Sequence, residues 1–245
     1  MTGNWWRDYF GADFFDLHVD LFPEALSRRE VAGMLELMQI PLGARILDVP
    51  CGWGRHAALF AEQGYDVIGA DLSFDLLRRA GAGPRYVAAD VRRQPFADSS
   101  FDVVINVFTS LGLFLDDAED LAALREAHRL LKDGGRFLLE SMHRDDVVAD
   151  YAERDRWTLP DGTEVRVRRR FDAVAGVSHE RLQWRKGDQG GRKQHALRLR
   201  TATEIDTLLR AAGFTDIEYF GDWDGRPFSH RDASLIAVAA KRMRP

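Results

Sequence analysis

A turn that contains two glycines is the segment of the sequence that is most suited to chemistry. The residues from Ile46 to His56 (ILDVPCGWGRH) indicate a strand that runs into Gly52 and Gly54 and then into a helix. Glycines let the backbone approach a ligand closely, and free N–H groups at a helix start can face a carboxylate. Asp48 lies at the carboxyl end of the strand, where open α/β sheets bind ligands. The pattern predicts a ligand site at this turn.

An acidic residue ends the next predicted strand. Asp71 follows the glycine turn by about 20 positions, which is the spacing that recognition of ribose hydroxyls requires. Dinucleotide-binding folds share this arrangement, so Asp71 alone does not separate nicotinamide cofactors from other nucleosides. The turn lacks the G-x-G-x-x-G pattern of those folds, and a third acidic residue, Asp90, follows another strand. Alternatively, the Asp90 side chain caps the turn that precedes Pro95 and has no contact with a ligand.

Alternating strands and helices must position these residues. Apolar, β-branched runs predict five buried strands at Ala44 to Val49, Asp66 to Ala70, Arg85 to Ala89, Phe101 to Val107 and Arg136 to Ser141. Helical spacing of apolar residues predicts helices between them, at His56 to Gln63, Phe74 to Ala80 and Ala118 to Leu131. Such alternation implies right-handed βαβ units, which bring the carboxyl ends of the strands to one edge of the sheet.

Two further strands complete the predicted sheet. A helix capped at Thr203 precedes a strand from Thr215 to Phe220 and a last strand from Ser234 to Ala240. The loop between these strands is too short for a helical crossover, so the pair should be antiparallel. The sequence therefore predicts an α/β fold: a doubly wound, Rossmann-like, seven-stranded sheet with an antiparallel last strand, in one domain over residues 1–245.

Two segments extend this core. We predict a helical cap over residues 1–40, where apolar residues at helical spacing follow a cluster of aromatic ones. One interpretation is that the cap packs on the core, and another is that it closes over a ligand. The two interpretations are compatible. Over residues 155–200 the hydrophobic period changes to two, as in Val165 and Val167 against Arg166 and Arg168. This segment predicts an antiparallel β insertion, which we call the lid.

The glycine turn resembles motif I of the class I S-adenosylmethionine-dependent methyltransferases. The broad resemblance covers about Gly43 to Leu139 and Thr203 to Ala240. It implies that S-adenosylmethionine is the cofactor, with Asp48 near its ammonium group, Asp71 on its ribose and Asp90 on the adenine amino group. The N–H of Val91 would then meet an adenine ring nitrogen.

One position departs from the family pattern. The family usually has glycine where this chain has Pro50, and proline supplies no N–H. The backbone N–H groups that remain to bind the methionine carboxylate are then those of Cys51, Gly52 and the residues after Gly54. We also assign Arg55, Leu72 and Val107 to the cofactor site.

The segment after the fourth strand bears on the methyl acceptor. Methyltransferases that modify nucleobase amines often have Asp or Asn followed by Pro-Pro and an aromatic residue, whereas this chain has Asn106-Val107-Phe108. Phe108 to Gly112 is similar to small-molecule N-methyltransferases that act on amino sugars. The resemblance implies methyl transfer to an amine nitrogen of a small molecule. An O-methyltransferase, an RNA methyltransferase, a nicotinamide-dependent oxidoreductase and a non-catalytic S-adenosylmethionine-binding regulator stay as alternatives.

The sequence offers two candidate catalytic residues. His143 follows the fifth strand, which would place it at the rim of the cleft as a base. Tyr9 could reach the donor or the acceptor from the cap. A strong base is needed only for a hydroxyl acceptor, because a neutral amine can attack directly. His18, His128, His179 and His195 have no sequence context that indicates a role, and Cys51 has none that indicates an activated thiolate.

Composition narrows the partners. The net charge of -5 opposes non-specific attraction to nucleic acid, so we do not expect a nucleic-acid partner. The part of the lid from Pro160 to Arg200 is nevertheless basic. The lid cations alternate with apolar residues, which favours a solvated face over an anion site.

A single cysteine forms no intramolecular disulfide, and no Cys/His cluster has metal-ligand spacing. No stretch has the length of a membrane span, so we expect a cytoplasmic enzyme without a membrane partner. Its oligomeric state stays open.

Overall fold

A seven-stranded sheet forms the centre of the computed structural model, which describes residues 5–243. The strands of the chain are β1 (Arg45–Asp48), β2 (Asp66–Asp71), β3 (Arg85–Ala88), β4 (Phe101–Asn106), β5 (Leu131–Ser141), β6 (Arg154–Thr158), β7 (Glu164–Asp172), β8 (Val177–Lys186), β9 (Gln189–Arg198), β10 (Thr215–Phe220) and β11 (Leu235–Ala240). The central sheet has the order β10-β11-β5-β4-β1-β2-β3. β11 pairs antiparallel with both β5 and β10, whereas the pairs among β1 to β5 are all parallel. The predicted fold class and the antiparallel last strand are confirmed.

Helices cover both faces of this sheet. They are α1 (Trp5–Tyr9), α2 (Ala12–His18), α3 (Glu24–Met38), α4 (Arg55–Glu62), α5 (Phe74–Leu77), α6 (Asp117–Leu130), α7 (Arg144–Ala149) and α8 (Ala202–Ala212). In residues 5–243 no helix has the length and apolarity that crossing a membrane requires. The sequence did not predict α7, and α5 ends at Leu77 instead of Ala80.

The cap of α8 differs from the expected one. Thr201, and not Thr203, precedes the helix, because its hydroxyl accepts from the N–H of Glu204 while the Glu204 carboxylate accepts from the N–H of Thr201. This reciprocal pair satisfies two donors that a helix start would otherwise leave without partners.

Alternation along the strands divides the core between two layers. Ile46 of β1 belongs to a cluster with Met34 of α3 and Phe60 of α4. Leu47, the next residue, belongs to a cluster with Leu124 of α6 and Leu209 of α8 on the opposite face. Successive strand residues point to opposite faces, so one short strand anchors both helical layers.

The lid is an antiparallel meander of four strands in the order β6-β7-β8-β9. Its outer face carries exposed arginines that alternate with buried residues, and these are Arg166, Arg168, Arg170, Arg181, Arg185 and Arg192. They support the interpretation of the lid cations as a solvated face. Arg169, Lys193 and Arg200 are exceptions. The first two lie on the inner face, and Arg200 is buried and pairs with Asp120.

Lys193 connects the lid to the N-terminal helices. Its ammonium donates to the backbone oxygen of Tyr9 at 2.7 Å and pairs with the Asp13 carboxylate. A buried ammonium needs such partners to offset the loss of hydration. The contact holds α1 against β9 above the central sheet.

Candidate active site

A cavity of about 810 Å³ lies at the carboxyl edge of the central sheet. β1 and β4 are neighbours there, and their connections leave on opposite faces, which is the switch point where open α/β sheets bind ligands. The glycine turn, the N-terminal helices and the inner face of the lid enclose it. The predicted site residues that line it are Tyr9, Cys51, Gly52, Arg55, Asp71, Leu72, Asp90, Val91 and Val107. Asp48, Gly54 and His143 do not line it.

The backbone donors of the turn are arranged differently from the expectation. The N–H of Cys51 donates to the Ala70 oxygen at 2.9 Å, and that of Gly52 donates to the Asp71 carboxylate at 2.8 Å. These two groups are therefore not the free donors that the sequence suggested. Burial raises the pKa of the Cys51 thiol well above its usual value, which agrees with an unreactive cysteine.

Gly52 has the geometry of a residue that must leave room for a ligand. Its φ of +55° is left-handed, and a Cβ added to it would meet nothing within 4 Å. The space above it is the cavity itself, so a side chain there would occupy ligand volume without touching the protein.

Gly54 serves a different purpose from the predicted one. A Cβ on this residue would come within 2.7 Å of the Tyr86 ring. The missing side chain makes room for a packed tyrosine, and Gly54 itself, with φ +73°, precedes α4. The Tyr86 ring, and not a ligand, therefore accounts for the missing side chain, and a cofactor contact by the Gly54 backbone stays a prediction.

Asp48 lies beneath the turn. The residue is 1% exposed, and its carboxylate oxygens make no well-formed hydrogen bond within the described residues, although the backbone N–H of Ala57 in α4 is close enough to lower the pKa. Burial raises the pKa of Asp48 to about 7. An Asp48 carboxylate without a well-formed hydrogen bond is a group that a ligand ammonium, or water between the two, would satisfy.

Asp71 is held in place at the end of β2. One carboxylate oxygen accepts from Gly52, and the other accepts from the N–H of Ser73 at 2.7 Å. Burial raises the pKa of Asp71 above its usual value. Each oxygen keeps a further lone pair, and the residue lines the cavity, so the carboxylate is orientated for two hydroxyl donors.

Asp90 has a strong partner that sequence reasoning missed. Arg92 donates to both of its carboxylate oxygens, at 2.9 and 2.5 Å, and this pair lowers the pKa of Asp90. The Arg92 guanidinium also lies 4.4 Å from the ring centroid of Phe114 and 5.7 Å from that of Trp6. The i,i+2 spacing of Asp90 and Arg92 was visible in the sequence, but it does not specify a pair.

Tyr9 projects from α1 into the cavity lining. It is 7% exposed, and its ring contacts Phe10 and Phe14. Burial raises the pKa of the Tyr9 phenol well above its usual value. Tyr9 therefore stays protonated, which suits hydrogen bonding and shielding and not proton abstraction.

The loop after β4 has a strained backbone. Phe108 and Thr109 have φ values of +65° and +53°, a region that residues with a side chain rarely occupy. The half-buried Glu140 stabilises this conformation, because its carboxylate accepts from the Phe108 N–H at 2.7 Å and from the Ser234 hydroxyl at 2.6 Å. The loop that resembles amino-sugar methyltransferases thus meets the cavity in a defined shape.

The expectation for His143 is wrong. The residue is fully buried, at 0% exposure, and its Nε2–H donates to the backbone oxygen of Asp232 at 2.6 Å. Its ring packs against Phe228 at a centroid distance of 5.0 Å. The loop that carries Asp232 covers this part of the sheet edge, so His143 is a packed residue and does not reach the cleft.

We expect His143→Ala to lower the free energy of unfolding by about 2 to 3 kcal/mol, because it removes a buried ring and its hydrogen bond. Affinity for S-adenosylmethionine should stay within about twofold. Urea denaturation and calorimetry measure both quantities, with His179→Ala on the outer face of the lid as the matched control. Loss of methyl transfer in His143→Ala with unchanged stability and donor affinity would show instead that His143 acts in the active site.

Several polar residues on the lid side of the cavity were also missed. Glu180 and His195 line the cavity from β8 and β9, His18 lines it from α2, and Arg169 from β7. The two-residue period of the lid predicts which neighbours share a face within each strand. It does not predict the pairing between strands that brings these side chains together.

Comparison with known proteins identifies the family. A model described as "Methyltransferase domain" matches residues 47–139. A putative methyltransferase from Geobacillus sp. (strain WCH70) is 30% identical over 210 residues, which cover 80% of this chain and 84% of that protein. A demethylmenaquinone methyltransferase from Paenarthrobacter aurescens (strain TC1) is 25% identical over 94% of this chain and 89% of its own length.

Solved structures share the architecture. The CcbJ methyltransferase from Streptomyces caelestis superposes with a TM-score of 0.80 at 18% identity, over 95% of this chain and 98% of that one. CalS10 from Micromonospora echinaspora, an amino pentose methyltransferase solved with S-adenosylmethionine bound, has a TM-score of 0.68. It is 25% identical over 88% of this chain and 91% of its own.

The site fits the methyl donor that this family uses. Gly52 leaves open space at the turn, Asp71 presents an orientated carboxylate, and Asp48 has oxygens without a well-formed hydrogen bond within the described residues. These features match a ligand with a ribose and an ammonium group, and the relatives named above are methyltransferases and not nicotinamide-dependent enzymes. The protein is an enzyme that uses S-adenosylmethionine, and the chain belongs to the class I S-adenosylmethionine-dependent methyltransferases.

Proposed function

We propose that the enzyme transfers the methyl group to an amine nitrogen of a small molecule. The observation that carries this proposal is the cavity of about 810 Å³, which extends from the donor turn to the inner face of the lid. Small-molecule sites occupy roughly 300 to 1,000 Å³, so the space suits the donor together with a compact acceptor. When bound, S-adenosylmethionine supplies an electrophilic methyl group on a sulfonium.

The donor would occupy the part of the cavity at the turn. Asp71 would accept from the ribose hydroxyls, Asp90 and Val91 would meet the adenine, and Asp48 would neutralise the ammonium group. Tyr9 would shield the donor from water. In this proposal the whole chain works as one methyltransferase unit, with residues 1–40 as a cap and residues 155–200 as a lid.

The charge of the cavity favours a cationic acceptor. Five carboxylates line it, and they belong to Asp71, Asp90, Asp146, Asp150 and Glu180. The lining contributes two arginines, Arg55 and Arg169, which pair with Glu30 and Glu180 respectively, and Arg92 outside the lining pairs with Asp90. Within the part of the chain that the structure describes, the lining carboxylates without a cationic partner are then Asp71, Asp146 and Asp150. A low-dielectric cleft with excess negative charge attracts a protonated amine more strongly than a phosphate or a neutral alcohol.

Two further observations support an amine over the alternatives. CalS10, the relative with 25% identity, is an amino pentose methyltransferase. The exposed arginines of the lid lie on its outer face, away from the cavity, so RNA bound there would not reach the donor. A quinone acceptor is the competing small molecule, because one relative is a demethylmenaquinone methyltransferase.

Mass spectrometry with deuterated-methyl S-adenosylmethionine tests the proposal. The acceptor panel is D-glucosamine, uridine diphosphate glucosamine, the two matching glucose compounds, a demethylmenaquinone and transfer RNA. We expect label on the nitrogen of an amino sugar and none on the glucose compounds. Label only on the quinone, on a hydroxyl or on RNA would contradict the proposed acceptor while leaving the methyltransferase activity intact.

A further inference from the structure

A row of polar side chains crosses the inner face of the lid. Arg169, Glu180 and His195 are direct neighbours across β7, β8 and β9. The adjacent residues on the same face include Val167 and Leu182, which are buried in an apolar cluster. Polar groups on a buried face cost free energy unless they have partners or a function, so this row needs an explanation.

The two ring nitrogens of His195 have different surroundings. The Arg169 Nε–H donates to Glu180 Oε2 at 2.7 Å. Glu180 Oε1 lies 3.4 Å from His195 Nδ1, which is an ion-pair distance without the geometry of a hydrogen bond. The His195 ring lies 4.8 Å from the Tyr9 ring, between centroids. Within residues 5–243 the structure shows no hydrogen bond to His195 Nε2, and the residue lines the cavity.

We propose, resting on the amine acceptor proposed above, that His195 accepts a proton from the acceptor nitrogen and that Glu180 is the positioning residue that orientates the His195 ring. The carboxylate at Nδ1 favours the tautomer with the proton on Nδ1, which leaves a lone pair on Nε2 towards the cavity. Arg169 holds the carboxylate from its other side.

The charged surroundings agree with a neutral imidazole in the resting enzyme. Burial lowers the pKa of His195, and the positive charge of Arg169 acts in the same direction, whereas Glu180 raises that pKa. The groups that face His195 or its immediate partners from the surrounding elements are Tyr9 of α1, Asp13 and His18 of α2, Arg169 of β7, Glu180 of β8 and Lys193 of β9. Lys193 and Asp13 pair with each other, so their charges largely cancel near the ring.

The proposed step is balanced in atoms and electrons. An acceptor ammonium gives one proton to His195 Nε2, and the N–H bonding pair becomes the nitrogen lone pair. The neutral nitrogen then forms a bond to the donor methyl carbon while the C–S bond breaks and its electron pair stays on sulfur. The proton on His195 returns to water after the product leaves.

Nuclear magnetic resonance of the histidine rings tests the proposal without any acceptor. His195→Gln assigns the signal by its disappearance. In the wild-type enzyme the midpoint of the His195 signal should lie below the usual histidine value, because burial disfavours the imidazolium. Glu180→Gln should move this midpoint further down, because it removes the negative charge that stabilises the imidazolium. A His195 signal without titration from about pH 4 to about pH 9, or a midpoint that Glu180→Gln does not change, would overturn the proposal.

Kinetics with D-glucosamine supply a second readout. His195→Gln should lower kcat/KM by about 100-fold near neutral pH, and the loss should shrink as rising pH makes the free amine neutral without help. Glu180→Gln should cause a smaller loss with the same trend. His179→Gln is the matched control, because His179 precedes Glu180 on the opposite face of β8, and it should change nothing.

The two proposals fail in different ways. If D-glucosamine is methylated equally well by wild-type enzyme and His195→Gln at every pH, the role of His195 is wrong and the amine acceptor stands. If no amine of the panel is methylated although His195 titrates as expected, the proposed acceptor is wrong. Calorimetry with S-adenosylhomocysteine should show equal affinity for all variants, which separates both outcomes from a damaged donor site.

Discussion

Asp71→Ala should weaken S-adenosylmethionine binding by about 2 to 4 kcal/mol, which is roughly a 30-fold to 700-fold rise in Kd. The carboxylate lines the cavity at the end of β2, and backbone N–H groups of Gly52 and Ser73 hold it in place. Its removal deletes the acceptors for the ribose hydroxyls and also frees the Gly52 N–H. Both effects act on the donor site.

Titration calorimetry measures this loss, with Asp75→Ala as the matched control. Asp75 belongs to α5, close in sequence to Asp71, but its side chain is 46% exposed and its nearest cation, Arg78, is 4.0 Å away. The control should bind the donor normally. Unchanged affinity in Asp71→Ala would remove Asp71 from the donor site.

Gly52→Val should abolish donor binding while the fold survives. The new side chain would point into the cavity, where no protein atom lies within 4 Å of the Cβ position. The left-handed φ of +55° adds strain of about 1 to 2 kcal/mol, which a folded domain tolerates. The dominant effect is therefore steric exclusion of the ligand.

Gly43→Val separates this exclusion from backbone strain. Gly43 also has a left-handed φ, +77°, with nothing within 4 Å of its Cβ position, but it does not line the cavity. Circular dichroism should show similar melting for the two variants, and only Gly43→Val should bind S-adenosylmethionine. Normal binding by Gly52→Val would show that the turn faces something other than the donor.

The fold and much of the cavity could be predicted because they depend on local signals. Strand and helix periods specify the layers, and parallel strands bring their carboxyl ends to one edge. Asp71 and Gly52 follow directly from that geometry, since Asp71 ends β2 and Gly52 lies in the turn that follows β1. Their placement needs no knowledge of distant contacts.

The errors arise where distant segments decide the outcome. His143 also follows a strand, but the loop with Asp232 covers that part of the edge and buries the ring. Gly54 has the sequence context of a ligand-binding glycine, yet the Tyr86 ring takes the space beside it. Neither neighbour is adjacent in sequence, so the local pattern could not identify it.

The row on the lid depends on strand register. Arg169, Glu180 and His195 meet because β7, β8 and β9 pair at those positions. A shift of one residue would turn a strand's side chains to the opposite face. The turns between the strands determine this register, and the two-residue period does not specify it.

A crystal structure with S-adenosylmethionine bound tests the central claim most directly. We expect that both ribose hydroxyls contact Asp71, that the methionine end lies over Gly52, and that the sulfonium methyl points towards Tyr9 and His195. A donor bound with its ribose away from Asp71, or with its methyl directed away from the lid side of the cavity, would contradict the account.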